Sequence, residues 1–318
     1  MRLLITRPLP DGVLSAARDR FDVTARASTL PLDEAELRAA LADFDLVLPT
    51  LGDRFSAAVF ADVPQPRARL LANYGVGYNH IDVAAANAAG IAVTNTPGAV
   101  TDATADIALT LILMTARRAG EGERLLRRGA WQGWHPTQLL GMHVSGKHLA
   151  VIGMGRIGQA IARRAHFGFD MRVSFYNRSP VTGLPFPAHQ VASLAEAMAA
   201  DVVVIAVPGG AATHHLIDAG ALAAMRPDAI LINIARGDVV DEAALAVALG
   251  AGRIRGAGLD VYEHEPRVHP DLLPLENVTL LPHLGTAALE VRAAMGMMAL
   301  ENLTAFAEGR PLPNRVTA

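Results

Sequence analysis

His148-Leu149-Ala150-Val151-Ile152-Gly153-Met154-Gly155-Arg156-Ile157-Gly158 decides the fold. A short β-rich apolar run leads straight into a G-x-G-x-x-G loop, and the loop opens a helix through Ala160, Ile161 and Ala165. In that setting the first glycine permits a tight turn, the second lets the backbone approach a pyrophosphate, and the third lets helix pack on strand. The free amides of the helix start, with the positive end of its dipole, then hold phosphate charge. Alone the motif is often a mere turn. With strand before and helix after, it reads as a dinucleotide site built on Gly153, Gly155, Arg156, Ile157 and Gly158.

The end of the next strand, residues 171–176, chooses between nicotinamides. An acidic residue about 20 positions beyond the loop would bind the 2′-hydroxyl of NAD. Here the stretch is Tyr176-Asn177-Arg178-Ser179, with no carboxylate. Arg178 can pair with a 2′-phosphate, and Asn177 and Ser179 can donate hydrogen bonds to it. NADP is the expected cofactor. NAD is the alternative if Arg178 is only a solvated loop residue.

Four more strands follow at 202–207, 229–234, 258–261 and 278–281, which with the first two make the six of a full dinucleotide fold. An earlier β/α series has strands at 3–6, 45–49, 69–73 and 91–95, with helices such as 33–42 between them, and this rhythm means a second parallel sheet. Pro97-Gly98 marks the boundary between the series, after which Thr101 or Asp102 can cap a helix running towards Arg118. From Asp106 to Met114 this helix is apolar nearly all round, so it buries more than one face, against a second subunit or within the chain's own core. A last helix spans 286–308, with Met295, Met297 and Met298 read as core filling.

Three polar residues stand just beyond strands of the second series: Arg236, Glu265 and His283. Ligands bind at the carboxyl edge of an open parallel sheet, so distant residues converge there. The set fits 2-oxoacid reduction. Hydride delivered to a carbonyl carbon leaves charge on oxygen, which needs a proton donor, and the neighbouring carboxylate needs a fixed cation. A guanidinium gives a planar two-point grip, an imidazole titrates near working pH, and a carboxylate beside the ring fixes its orientation and favours the protonated form. In the first series Gly75-Val76-Gly77 is either a simple turn or, through its amides, an anion-binding concavity. His80, His214, His215, His264 and His269 show no metal-site spacing.

Several separate motifs in order carry a resemblance over almost the whole chain. They are Asn73-Tyr74-Gly75-Val76-Gly77-Tyr78-Asn79-His80-Ile81-Asp82, the glycine loop, Asn233-Ile234-Ala235-Arg236-Gly237, Gly258-Leu259-Asp260-Val261-Tyr262-Glu263-His264-Glu265-Pro266 and Leu281-Pro282-His283-Leu284-Gly285. The sequence resembles the D-isomer-specific 2-hydroxyacid dehydrogenases, and within them the glyoxylate/hydroxypyruvate reductases. The resemblance implies an α/β protein of two Rossmann-like parallel-sheet domains. A cofactor domain (100–284) is inserted into a split, flavodoxin-like substrate domain (1–99 plus 285–318). It implies that Arg236 holds the substrate, that His283 is the acid/base and that Glu265 orients it. The amides of Val76 and Gly77 would hold the carboxylate, with Leu51 also lining the substrate. Val207, Pro208, Ile234, Ala235, Arg236, Asp260, His283 and Gly285 join the glycine loop and residues 177–179 around the cofactor, Asp260 near the nicotinamide carboxamide. Homodimers are usual in the family. Trp131-Gln132-Gly133-Trp134 is either the loop that reaches towards the partner's site or plain apolar packing.

Composition narrows the alternatives. At 318 residues the chain has room for two domains, and a formal net charge of −3 gives no reason to expect nucleic acid. The arginines at 117, 118, 124, 127 and 128 read as one helix's solvated face. With no cysteine there are no disulfides or thiolate metal sites, and no metal is expected. The apolar run at 3–5 is too short for a signal peptide, and no segment approaches the ~20 residues of a membrane span. A soluble cytoplasmic enzyme is expected. The competing readings are an NAD-linked dehydrogenase of another D-2-hydroxyacid, such as phosphoglycerate or lactate, and a cofactor-sensing corepressor-like protein.

Overall fold

A computed structural model describes residues 1–317 and divides the chain into two units, Met1–Val100 with the chain from Thr286 onward, and Thr101–Gly285. In the first unit, β1 (Arg2–Ile5), β2 (Asp22–Ala25), β3 (Leu46–Leu48), β4 (Leu70–Ala72) and β5 (Ala92–Thr94) form a parallel sheet of order β2-β1-β3-β4-β5. This is the flavodoxin-like doubly wound order. The strand β2 was not legible in the sequence: it is an edge strand whose residues alternate between exposed and half-buried, so it lacks an apolar run. The helix Glu34–Asp43 starts at Asp33, whose side chain accepts from the Glu36 amide while Glu36 returns a bond to the Asp33 amide. The final helix, Leu289–Ala307, packs on the helix Asp11–Arg18 so closely that a Cβ at Gly296 would lie 2.6 Å from Val13 Cγ1. Met295 is buried there, whereas Met297 is 49% exposed because it falls on the opposite face, so it is not core filling.

The second unit has seven parallel strands: β6 (His148–Ile152), β7 (Arg172–Tyr176), β8 (His189–Gln190), β9 (Val202–Ile205), β10 (Ile230–Asn233), β11 (Gly256–Leu259) and β12 (Val278–Leu280), in the order β12-β11-β10-β9-β6-β7-β8. The two-residue β8 adds to the six expected strands and is too short to leave a pattern. Apolar clusters cover both faces of this sheet, which is why β9 and β10 read as unbroken apolar runs. Strand order reverses between β6 and β9, the switch point where such sheets bind ligands.

The helix Thr101–Ala116 packs along that sheet. Thr101 and Asp102 lie inside its first turn and are not its caps; Asp102 and Asp106 instead pair with Arg164 at 2.8 and 2.9 Å. The arginine cluster does not lie on one helix. The chain turns at Arg118, in the left-handed region at φ +53°, and a separate helix runs from Ala119 to Arg127. Among the described residues no helix is long and apolar enough to cross a membrane.

Candidate active site

The candidate cofactor and catalytic residues of the second unit all follow carboxyl ends of adjacent strands. The glycine loop follows β6, Asn177 follows β7, Val207 and Pro208 follow β9, Arg236 follows β10, Asp260 follows β11 and His283 follows β12.

The glycine loop has the shape that a pyrophosphate requires. Gly153 sits at φ +101°, and a Cβ there would lie 2.8 Å from the Ala206 carbonyl oxygen. A Cβ at Gly158 would run into the Gly153 carbonyl, so the helix Arg156–Phe169 can approach the strand only without one. Beside Gly155 there is open space. The helix receives no side-chain cap and carries no acidic residue in its first turn, which leaves its dipole end for an anion. These features fit a dinucleotide.

Residues 177–179 divide their work. Asn177 Oδ1 accepts from the Met154 amide at 3.2 Å and its Nδ2 donates to the Ser179 carbonyl at 2.8 Å, so Asn177 ties this segment to the glycine loop. Gln190 Nε2 bonds both carbonyls of the segment, at Asn177 and Ser179. Arg178 and Ser179 remain exposed.

Three loops build the acid–base constellation. Buried Asn233 shapes the first: its Oδ1 accepts from Ala235 N and its Nδ2 donates to the Arg236 carbonyl. Arg236 Nη1 donates to the Ala235 carbonyl at 2.6 Å. The stem of Arg236 lies against Gly209, where a Cβ would come within 2.6 Å of Arg236 Cγ. Burial draws the Arg236 pKa down, opposed by the carboxylates of Glu265 and Asp238. A half-buried cation of this kind favours an anionic ligand. In the second loop Glu265 Oε1 accepts from the Tyr262 amide at 3.1 Å, while the Tyr262 hydroxyl donates to Leu281 O at 2.8 Å.

In the third loop His283 Nδ1 lies 2.9 Å from Glu265 Oε2, with both side chains about one-third exposed (29% and 32%). Burial pushes the Glu265 pKa up, but the hydrogen bond and charge of His283, the Tyr262 amide and the Arg236 cation together hold it below the ordinary range. The carboxylate is therefore the acceptor and Nδ1 carries the proton. His283 has φ +55°, a conformation that costs a residue with a side chain about 1–3 kcal/mol. Asp260, 1% exposed, holds the chain in that turn by accepting the amides of Leu284 at 2.6 Å and Gly285 at 2.8 Å. Burial raises the Asp260 pKa against those two bonds. Asn233 and Gly209 carry no titratable group and the Tyr262 hydroxyl is engaged by Leu281 O, so only their place in the resembling motifs or beside a strand end could have marked them.

In the first unit the carbonyls of the Gly75-Val76-Gly77 turn are all engaged: Asn73 Nδ2 donates to Gly75 O and Gly77 O, and Asn95 Nδ2 to Val76 O, each at 2.9 Å. In a planar trans peptide the N–H opposes the C=O, so the Val76 amide points away from Asn73 and the Gly77 amide away from Asn95. The Thr50-Leu51-Gly52 turn is set by fully buried Asp53, which accepts from Thr6 Oγ1 at 2.6 Å, Thr50 N at 2.8 Å and Leu32 N at 2.9 Å.

A switch-point glycine loop at the same sheet edge as a histidine–carboxylate pair defines the class, a nicotinamide-dependent oxidoreductase. Residues 109–285, more than half of the chain, match the family described as D-isomer specific 2-hydroxyacid dehydrogenase, NAD binding domain. The chain is 42% identical to the glyoxylate reductase of Thermococcus gammatolerans over 99% of its own length and 95% of that protein. It is 34% identical to the glycerate dehydrogenase of Hyphomicrobium methylovorum, over 97% and 96%. Among solved structures, the NADPH-dependent glyoxylate/hydroxypyruvate reductase of Sinorhizobium meliloti, in complex with NADP and malonate, superposes with a TM-score of 0.87 at 36% identity, covering 99% and 96% of the two chains. The chain belongs to the D-isomer specific 2-hydroxyacid dehydrogenase family.

Proposed function

We propose that the protein reduces a small 2-oxoacid to the D-2-hydroxyacid with NADPH as its preferred cofactor. Glyoxylate and hydroxypyruvate are the foremost substrates, and 2-ketogluconate is a further one. The observation that carries the reading is the 2.9 Å pair of His283 and Glu265 beside half-buried Arg236. The names of the similar reductases support the substrate class.

The nicotinamide supplies hydride to the carbonyl carbon. With Nδ1 engaged by Glu265, His283 Nε2 is the atom that gives its proton to the carbonyl oxygen. Arg236 grips the substrate carboxylate, and the amides of Val76 and Gly77, with Leu51, are the first unit's substrate-binding groups. The glycine loop, Val207, Pro208, Ile234, Ala235, Asp260 and Gly285 line the cofactor. NADPH preference rests on Arg178 and Ser179, exposed and without a neighbouring acid to repel a 2′-phosphate. Two copies are inferred to pair through the segment carrying Trp131, Trp134 and Leu140, which are 50%, 79% and 61% exposed.

The test is the initial rate of NADPH and of NADH oxidation with glyoxylate, hydroxypyruvate, 2-ketogluconate and pyruvate. Faster NADPH consumption with glyoxylate or hydroxypyruvate is expected. Cofactor binding without turnover on any oxoacid would replace the enzyme by a sensor. Preference for NADH would remove the argument from Arg178.

A further inference from the structure

The second unit gathers one more group of metal-ligating side chains apart from the catalytic pair. His214, His215 and Glu263 each offer a ligand atom, and these atoms all lie within 4.8 Å of one another. His215 Nε2 is 2.9 Å from Glu263 Oε1, and the two imidazole rings stand 4.0 Å apart between centroids, tilted by 36°. Adjacent side chains on extended backbone point to opposite faces. Here His215 is in the left-handed region at φ +48°, which brings both rings to one side.

Both segments are anchored to the same stretch of chain. The His215 amide donates to the Asp238 carbonyl at 2.8 Å, and the Glu263 amide donates to Glu242 Oε1 at 2.8 Å, with Glu242 itself buried. The close fit is visible at Gly237, where a Cβ would collide with the Tyr262 backbone. The three ligands are thus presented by a fixed frame, with His214 exposed to solvent as the entry side.

We propose that His214, His215 and Glu263 bind a divalent transition-metal ion of the zinc type, through two imidazole nitrogens and one carboxylate oxygen. Zn–N and Zn–O bonds of about 2.0–2.2 Å place ligand atoms of a tetrahedral site roughly 3.3 Å apart, so His215 Nε2 and Glu263 Oε1, now 2.9 Å apart, need only a small separation, and rotation of the exposed His214 ring completes the set. The ion replaces the His215–Glu263 hydrogen bond. Two nitrogens and one oxygen suit zinc, nickel or copper, and not the all-oxygen preference of magnesium or calcium. Glu263 is two positions before Glu265, so an occupied site braces the turn that carries the partner of His283.

Isothermal titration of the full-length protein with zinc chloride at about pH 7.5, where imidazoles are neutral ligands, tests the site. One ion per chain is expected, with affinity at least tenfold weaker in His214→Ala and in Glu263→Gln. His214→Ala removes an exposed side chain, and its thermal unfolding in the absence of zinc should match the parent. His283→Ala should leave zinc affinity unchanged. Binding that survives both His214→Ala and Glu263→Gln, binding lost only in His283→Ala, or no binding by the parent protein would each overturn the proposal.

Discussion

His283 Nδ1 faces both oxygens of Glu265, Oε2 at 2.9 Å and Oε1 at 3.1 Å, and Oε1 is also held by the Tyr262 amide at 3.1 Å, an arrangement that sets the orientation of the imidazole. Because the carboxylate is fixed at both oxygens, the ring cannot rotate without leaving a part-buried acceptor unmet.

That bond gives stability a defined pH dependence. The Glu265 pKa is held below its ordinary 4.5, so the ionised form is favoured by folding. Its contribution is complete above that value and is lost as pH falls through the lower, folded-state pKa. Glu265→Gln should therefore be less stable than the parent at neutral pH, with the gap closing as pH falls below about 4.5. Urea midpoints measured across that range check it; a gap that widens on acidification contradicts it.

In the proposed function, cofactor choice turns on Arg178. Loss of one charge-assisted contact, about 1.5–3 kcal/mol, predicts that Arg178→Ala raises the KM for NADPH by roughly ten- to a hundredfold while leaving NADH nearly unchanged. Equal effects on the two cofactors would mean that no 2′-phosphate is read there.

Arg236→Lys keeps a positive charge but loses the planar fork. The apparent KM for the oxoacid should rise by about tenfold or more, with NADPH affinity retained. Unaltered saturation by glyoxylate would show that Arg236 is not the clamp.

The glycine loop separates fold from function. Gly158→Ala drives a methyl into the Gly153 carbonyl and should cost about 1–3 kcal/mol of stability before any ligand is added. Gly155→Ala meets open space at φ −76°, so its unfolding should match the parent while cofactor binding weakens. Thermal scans with and without NADPH distinguish the two positions.

Much of this was legible from one dimension because the chemistry sits at strand ends. Apolar runs such as 202–205 are buried on both faces, and their ends carry Arg236, Asp260 and His283 to one edge of the sheet. What escaped depends on three dimensions. The edge strand Asp22–Ala25 has no apolar run, and the break at Arg118 rests on a single left-handed residue. His214, His215 and Glu263 meet only because β9 and β11 flank β10 and the segments after those two strands are both anchored to the stretch that follows β10; 48 residues separate His215 from Glu263. Asn177, expected as a hydrogen-bond donor to a 2′-phosphate, also ties its own segment to the glycine loop by accepting from Met154 and donating to Ser179, a second task that the sequence did not reveal.

The most direct measurement is the turnover of His283→Ala with NADPH and glyoxylate, beside NADPH binding followed by fluorescence. Loss of a general acid predicts a fall in kcat of about a hundredfold or more with cofactor affinity nearly unchanged. Turnover equal to that of the parent protein would contradict proton delivery by His283 and with it the proposed reaction at this site.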